Sequence, residues 1–211
     1  MEWRSYYKMP APQTNQENCV AHNGSLVPVP GRAVMVQAWY QGGLSLIDFT
    51  DSSNPSRSVS STAGPISPTS LVTGGFWSTY WWNGNAFGSE IARAFESLAL
   101  QRSDALSANE IAAASEVRLD EFNAQLQVDV TPAPSFAVVG ARLDQSVRPG
   151  LDAERAHRLQ GHIDKAKQFL AGPQKRAAGI AQLDAAAESL QDRPDQQDLA
   201  QAFSDVADSL R

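Results

Sequence analysis

His22, Asn23, Asp48 and Glu90 are the residues of this 211-residue chain whose types best suit chemistry, since an imidazole, an amide and two carboxylates form a nitrogen and oxygen ligand set for a divalent metal. No His-x-His or His-Glu-x-x-His pair stands beside them, and His22 is the only histidine before His157. Asp48 and Glu90 also present the carboxylate pair of a glycoside hydrolase, a mechanism decided by a separation that sequence does not give. Ser25 and Ser89 carry hydroxyls, but Gly88-Ser89-Glu90 lacks the Gly-x-Ser-x-Gly elbow that exposes a nucleophile. Gln41-Gly42-Gly43 lacks the lysine of a phosphate loop and reads as a turn. Hydrogen-bonded structural roles are the plainer reading of all these polar groups.

Binding chemistry is better supplied. Trp77, Tyr80, Trp81 and Trp82, with Trp39 and Tyr40, concentrate flat rings that present apolar area and a polar edge to a carbohydrate or a peptide. Alternation along a strand buries part of such a set, so packing competes with binding, and the rings left exposed become the binding surface. Cys19 is the only cysteine, which excludes an internal disulfide and a thiolate metal cluster. His157 and His162, five apart, face different directions on a helix and form no chelating pair.

The elements that must position these residues change character along the chain. Residues 1–132 carry 7 Lys and Arg against 12 Asp and Glu, residues 133–211 carry 10 against 11, and every Trp and Tyr precedes Asn83. Two parts with different chemistry follow. Residues 1–17 are a polar, irregular lead-in with Pro10 and Pro12. Short β-favouring runs then span residues 19–29, 33–40 and 44–50, joined by tight turns. Residues 51–75, rich in Ser, Pro, Thr and Gly, read as a long connector. A second group follows at residues 76–82, 86–91 and 94–100, with Asn83-Gly84 as a hairpin turn. Residues 44–49 and 95–100 form a degenerate repeat spaced by 51.

Ser107 and Glu110 are spaced as a capping box for a short helix. Beyond a linker ending in Pro132 and Pro134, apolar residues recur at spacings of three and four: Phe136, Val139, Leu143 and Val147; Ala156, Leu159, Ile163, Ala166 and Leu170; Ile180, Leu183, Ala187 and Leu190; Leu199, Ala202, Val206 and Leu210. Pro149-Gly150, Gly172-Pro173 and Pro194 stop the helices, which predicts a small antiparallel bundle.

Recognition rests on Asn18-Cys19-Val20-Ala21-His22-Asn23-Gly24-Ser25, Val36-Gln37-Ala38-Trp39-Tyr40-Gln41-Gly42-Gly43, Asp48-Phe49-Thr50-Asp51, Trp77-Ser78-Thr79-Tyr80-Trp81-Trp82-Asn83-Gly84 and Gly88-Ser89-Glu90-Ile91. In this order they resemble the C-terminal part of bacterial LVIVD-repeat proteins, collinearly from about Asn18 to the end. Ala94 departs from a usual glycine, and Ala99 from a usual acidic residue. The resemblance implies a β-propeller on an exported polypeptide without an assigned reaction.

The resulting expectation is a mixed all-β plus all-α chain: a lead-in over 1–17, the last two or so blades of a β-propeller over 18–105, a short helix and linker over 106–133, and a helical bundle over 134–211. Its expected function is non-enzymatic extracellular binding or scaffolding without a cofactor, as a C-terminal fragment of a secreted parent at or outside the cell surface. The missing N-terminal blades or a protein or carbohydrate ligand are its expected partners, with self-association through exposed blade edges. The alternative is a metal-dependent propeller enzyme, a hydrolase or oxidoreductase, with a divalent ion at a channel site of His22, Asp48 and Glu90.

A net charge of −6 argues against sequence-independent nucleic-acid binding. No apolar run approaches the roughly 20 residues of a membrane span. The first eight residues are too polar for a signal-peptide core, so no export signal is expected in the chain as written.

Overall fold

A computed structural model of the chain describes residues 1–10, 13–172 and 174–211. Pro12 of the lead-in and Pro173 of the second helix stop lie outside the described residues. The chain divides into two compact units, one of Met1–Leu106 with Ala114–Thr131 and one of Ser107–Ala113 with Pro132–Arg211.

In the first unit, β1 (Gly24–Val27), β2 (Val34–Ala38), β3 (Leu44–Asp48) and β4 (Ser56–Ser61) pair antiparallel in chain order. A second antiparallel sheet holds β5 (Phe76–Trp82), β6 (Asn85–Glu90) and β7 (Phe95–Leu98). Val36 stands opposite Ser25 on β1 and Leu46 on β3, so the alternating set Val34, Val36, Ala38, Leu44 and Leu46 shares one buried face. Ala38 and Leu44 pack with Phe76 of the second sheet.

This arrangement corrects the expected propeller blades. Among the described residues the strands form two small open sheets, and no ring of blades closes. The physical reason is that the sheets are tied together by their backbones. Tyr40 and Phe76 exchange both main-chain hydrogen bonds, at 3.2 and 3.0 Å, and the Trp81 N–H donates to the Ser25 hydroxyl at 2.6 Å. β5 is thereby fastened to the first sheet instead of standing as a blade beside a channel. The repeat also loses its equivalence: Leu44–Asp48 is a buried interior strand, whereas Phe95–Leu98 is a sheet edge with Phe95 exposed. β4 arises from Ser-Arg-Ser-Val-Ser-Ser, inside the stretch that reads as a connector, and is held by pairing with β3.

Asn83 and Gly84 both adopt positive φ, 46° and 105°, as a two-residue hairpin turn of type I′ requires. The Asn83 amide then reaches back, accepting from Leu119 N at 2.7 Å and donating to Leu119 O at 3.1 Å.

α1 (Ala108–Glu116) begins in the second unit and ends in the first. Its capping box forms: Ser107 N donates to Glu110 Oε2 at 2.7 Å and Glu110 N to Ser107 Oγ at 3.1 Å. The second unit adds α2 (Phe136–Val147), α3 (Ala153–Leu170), α4 (Arg176–Glu188) and α5 (Gln197–Ser209). Ser135 and Asp152 cap α2 and α3 by accepting from Val138 N at 3.2 Å and Arg155 N at 2.8 Å. The apolar stripes converge on a core that includes Val139, Leu159, Ile163, Leu183, Leu199 and Phe203. No helix among the described residues is long and apolar enough to cross a membrane.

Candidate functional site

The turn after β2 places Tyr40 in the left-handed region, at φ 49°, a conformation that costs a non-glycine residue energy and needs support from its surroundings. Support comes from the paired hydrogen bonds with Phe76 and from Gly75, whose own φ is 85°. A Cβ on Gly75 would lie 1.9 Å from the Tyr40 carbonyl carbon, so only glycine lets the two backbones approach.

Gly75 is held in turn by Glu90. The buried Glu90 carboxylate accepts from Gly75 N at 2.6 Å, Ala92 N at 2.7 Å, Arg93 N, and the Arg93 guanidinium at 3.0 Å. Burial pushes its pKa up, but the backbone donors of Arg93, Gly75 and Ala92 and the Arg93 charge outweigh that and hold it below the ordinary carboxylate value.

One residue beyond Phe76 the strand bulges. Phe76 pairs with Glu90 and Ser78 with Ser89, leaving Trp77 between them as the extra residue, which turns its ring outward at 49% exposure. Trp77 meets His22 at 4.4 Å between ring centroids, His22 meets Tyr40 at 5.0 Å, and Tyr40 meets Trp77 edge-on at 5.9 Å. The backbone on either side of the imidazole is fixed, since His22 N donates to Ala38 O and the Gln37 amide donates to His22 O, both at 2.9 Å. Nδ1 of His22 is buried and has no hydrogen-bond partner among the described residues. Next along the chain, Asn23 Nδ2 donates to the Tyr80 hydroxyl at 3.3 Å, and Tyr80 packs on Phe122 at 5.5 Å. The result is a half-exposed aromatic strip, Tyr40, His22, Trp77, Tyr80 and Phe122, with amide and hydroxyl groups along it.

No family model, curated protein or solved structure matches this chain.

Of the six rings that composition singles out, Tyr40, Trp77 and Tyr80 reach the strip. Trp39 and Trp81 are core residues, 7% and 2% exposed, and Trp82 is half-buried on β5. The metal set of His22, Asp48 and Glu90 is not brought together: among the described residues no three of His, Cys, Asp and Glu gather where an ion could be held. Each carboxylate is spent on local donors. Asp48 accepts from Arg32 at 2.6 and 3.1 Å and from Thr50 N and Oγ1 at 2.9 and 2.6 Å. Burial raises its pKa, while the Thr50 and Arg32 hydrogen bonds and the Arg32 charge bring it below the ordinary value. Ser25 is engaged by Trp81 N, and Ser89 is exposed on β6. Burial and Glu17 push the Cys19 thiol up, which disfavours the reactive thiolate.

Sequence reasoning missed Phe122 and the part that Asn23 plays beside Tyr80. It also missed the bulge, whose only trace is the adjacent pair Phe76-Trp77, two large rings where alternation calls for one.

Proposed function

We propose that this chain is a non-enzymatic extracellular binding protein that takes a saccharide on the strip of Tyr40, His22, Trp77 and Tyr80. The observation that carries this reading is the outward-turned Trp77 ring beside His22 and Tyr40. Flat rings offer apolar area to the C–H face of a sugar at small entropic cost, while the Asn23 amide and Tyr80 hydroxyl offer hydrogen bonds at its rim. A pre-positioned platform of this kind loses little freedom on binding, and the backbone lock at Tyr40 and Gly75 supplies that order.

The carboxylates argue against hydrolysis. A glycosidase needs one acid kept protonated near neutral pH, and both Asp48 and Glu90 are shifted the other way. The exported setting is proposed on the motif resemblance to LVIVD-repeat proteins from about Asn18 onward.

The test is titration of intrinsic tryptophan emission with a panel of soluble neutral and acidic oligosaccharides. A saturable change with one sugar class, weakened at least about tenfold by Trp77→Ala, supports the proposal. A folded protein whose emission responds to no member of the panel overturns it.

A further inference from the structure

Among the described residues β1 is the edge of its sheet, paired with β2 alone, and its Gly24 carbonyl and Leu26 N–H are taken up on the outer side by one side chain. Gln127 Nε2 donates to Gly24 O at 2.8 Å and Gln127 Oε1 accepts from Leu26 N at 3.0 Å. A primary amide carries the same donor and acceptor as a peptide group, so Gln127 stands where one residue of a neighbouring strand would pair. The segment that carries it, residues 120–131, contains neither helix nor strand. It turns at Asn123, whose side chain accepts from Gln125 N at 2.9 Å and Leu126 N at 3.2 Å. Leu126 and Val128, on either side of Gln127, are 70% and 64% exposed.

Between this strap and β1 lies a cavity of about 90 Å³, lined on one side by Leu26, Pro28, Trp81 and Val117 and on the other by strap residues that include Phe122 and Gln127. Trp81 is 2% exposed, and its indole N–H has no hydrogen-bond partner among the described residues. Glu121 and Asp129 are the charged residues among the described lining residues, with no lysine or arginine beside them there. Arg118 is turned instead to the Ser115 and Val117 carbonyls.

We propose that the β1 edge is a docking site for an extended peptide that displaces Gln127, pairs with Gly24 and Leu26 as a fifth strand, and seats an apolar side chain in the cavity. The amide already marks the backbone positions such a strand would use, the cavity marks an alternate side-chain position, and the two carboxylates select basic flanks on the peptide. The cavity meets the aromatic strip at Phe122, which also packs on Tyr80, but the peptide reading does not rest on the saccharide one.

The probe is an acetylated, amidated peptide of alternating Thr and Val with two Lys at each end, labelled and followed by fluorescence anisotropy on the full chain. Gln127→Ala removes the competitor and is expected to tighten peptide binding at least tenfold, with affinity falling as salt rises. Exchange of the Leu26 amide is expected to slow in the wild-type complex. Gln127→Asn, too short to span both groups, is expected to act in the same direction should the alanine variant fail to fold. Equal binding by wild type and the folded variant overturns the proposal, as does an unchanged Leu26 exchange rate. It is equally overturned if a peptide N-methylated on its pairing edge binds as well as the parent, or if the freed edge yields only dimers by light scattering and takes no peptide.

Discussion

The Glu90 carboxylate closes on the Gly75 N–H at 2.6 Å, and through that single bond a buried acid on β6 orders the backbone step that supports the left-handed Tyr40. The carboxylate anchors the turn at Gly75 and the backbone of Ala92 and Arg93. Its low pKa records how many donors surround it.

Stability should therefore fall in acid through Glu90. Its folded pKa lies below the ordinary value, so its contribution is fully present above the unfolded pKa and is lost as pH drops through the folded one. Urea midpoints measured from pH 7 to pH 3 are expected to decline more steeply for wild type than for Glu90→Gln. At pH 7 that variant is expected to be less stable by about 1–3 kcal/mol, because three backbone donors lose a charged acceptor. Parallel pH curves for the two proteins would contradict this assignment.

Gly75→Ala tests the close approach directly. The added methyl would meet the Tyr40 carbonyl carbon at 1.9 Å in a backbone region unfavourable to alanine. A loss of about 2 kcal/mol or more is expected in chemical denaturation. A shift in the Trp77 and His22 ring resonances should accompany it. Wild-type stability with unshifted resonances would remove Gly75 from the support of the strip.

In the helical unit, Glu110 combines a cap with a buried ion pair. Its side chain is fully buried and accepts from Ser107 N, from Gln145 Nε2 at 3.0 Å and from Arg148. Ser107→Ala is expected to cost about 1 kcal/mol, the usual size of a lost N-cap. Glu110→Ala is expected to cost roughly 3 kcal/mol, the low end for breaking a buried pair, because Arg148 retains partial access to water. Thermal unfolding of the two variants checks the order, and equal losses would mean that the ion pair adds nothing beyond the cap.

The five tryptophans should separate by environment. Trp3 and Trp77 are open to solvent, whereas Trp39 and Trp81 are enclosed. Substituting both open residues with phenylalanine is expected to shift the emission maximum to shorter wavelength and to reduce acrylamide quenching severalfold, following the loss of exposed rings. Unchanged quenching would place Trp77 inside the protein and sink the strip.

Signals carried by neighbours in sequence were legible. The Asn83-Gly84 turn, the Ser107 and Glu110 box, and the strand over residues 76–82 follow from residues within a few positions of each other, as do the apolar stripes of the bundle helices. Their φ preferences, caps and periodicity act locally. The tertiary structure alone decided the rest. Whether the strands become propeller blades or two open sheets turns on Tyr40 pairing with Phe76 and Ser25 with Trp81, 56 residues apart. The choice of exposed ring turns on a bulge that sets Trp77 outside the β6 register. The cover on β1 comes from Gln127, about a hundred residues away. Composition names the rings and the acids, but distant backbone partners choose which ring meets solvent and which acid becomes an anchor. Such partners leave no spacing in the sequence by which to find them.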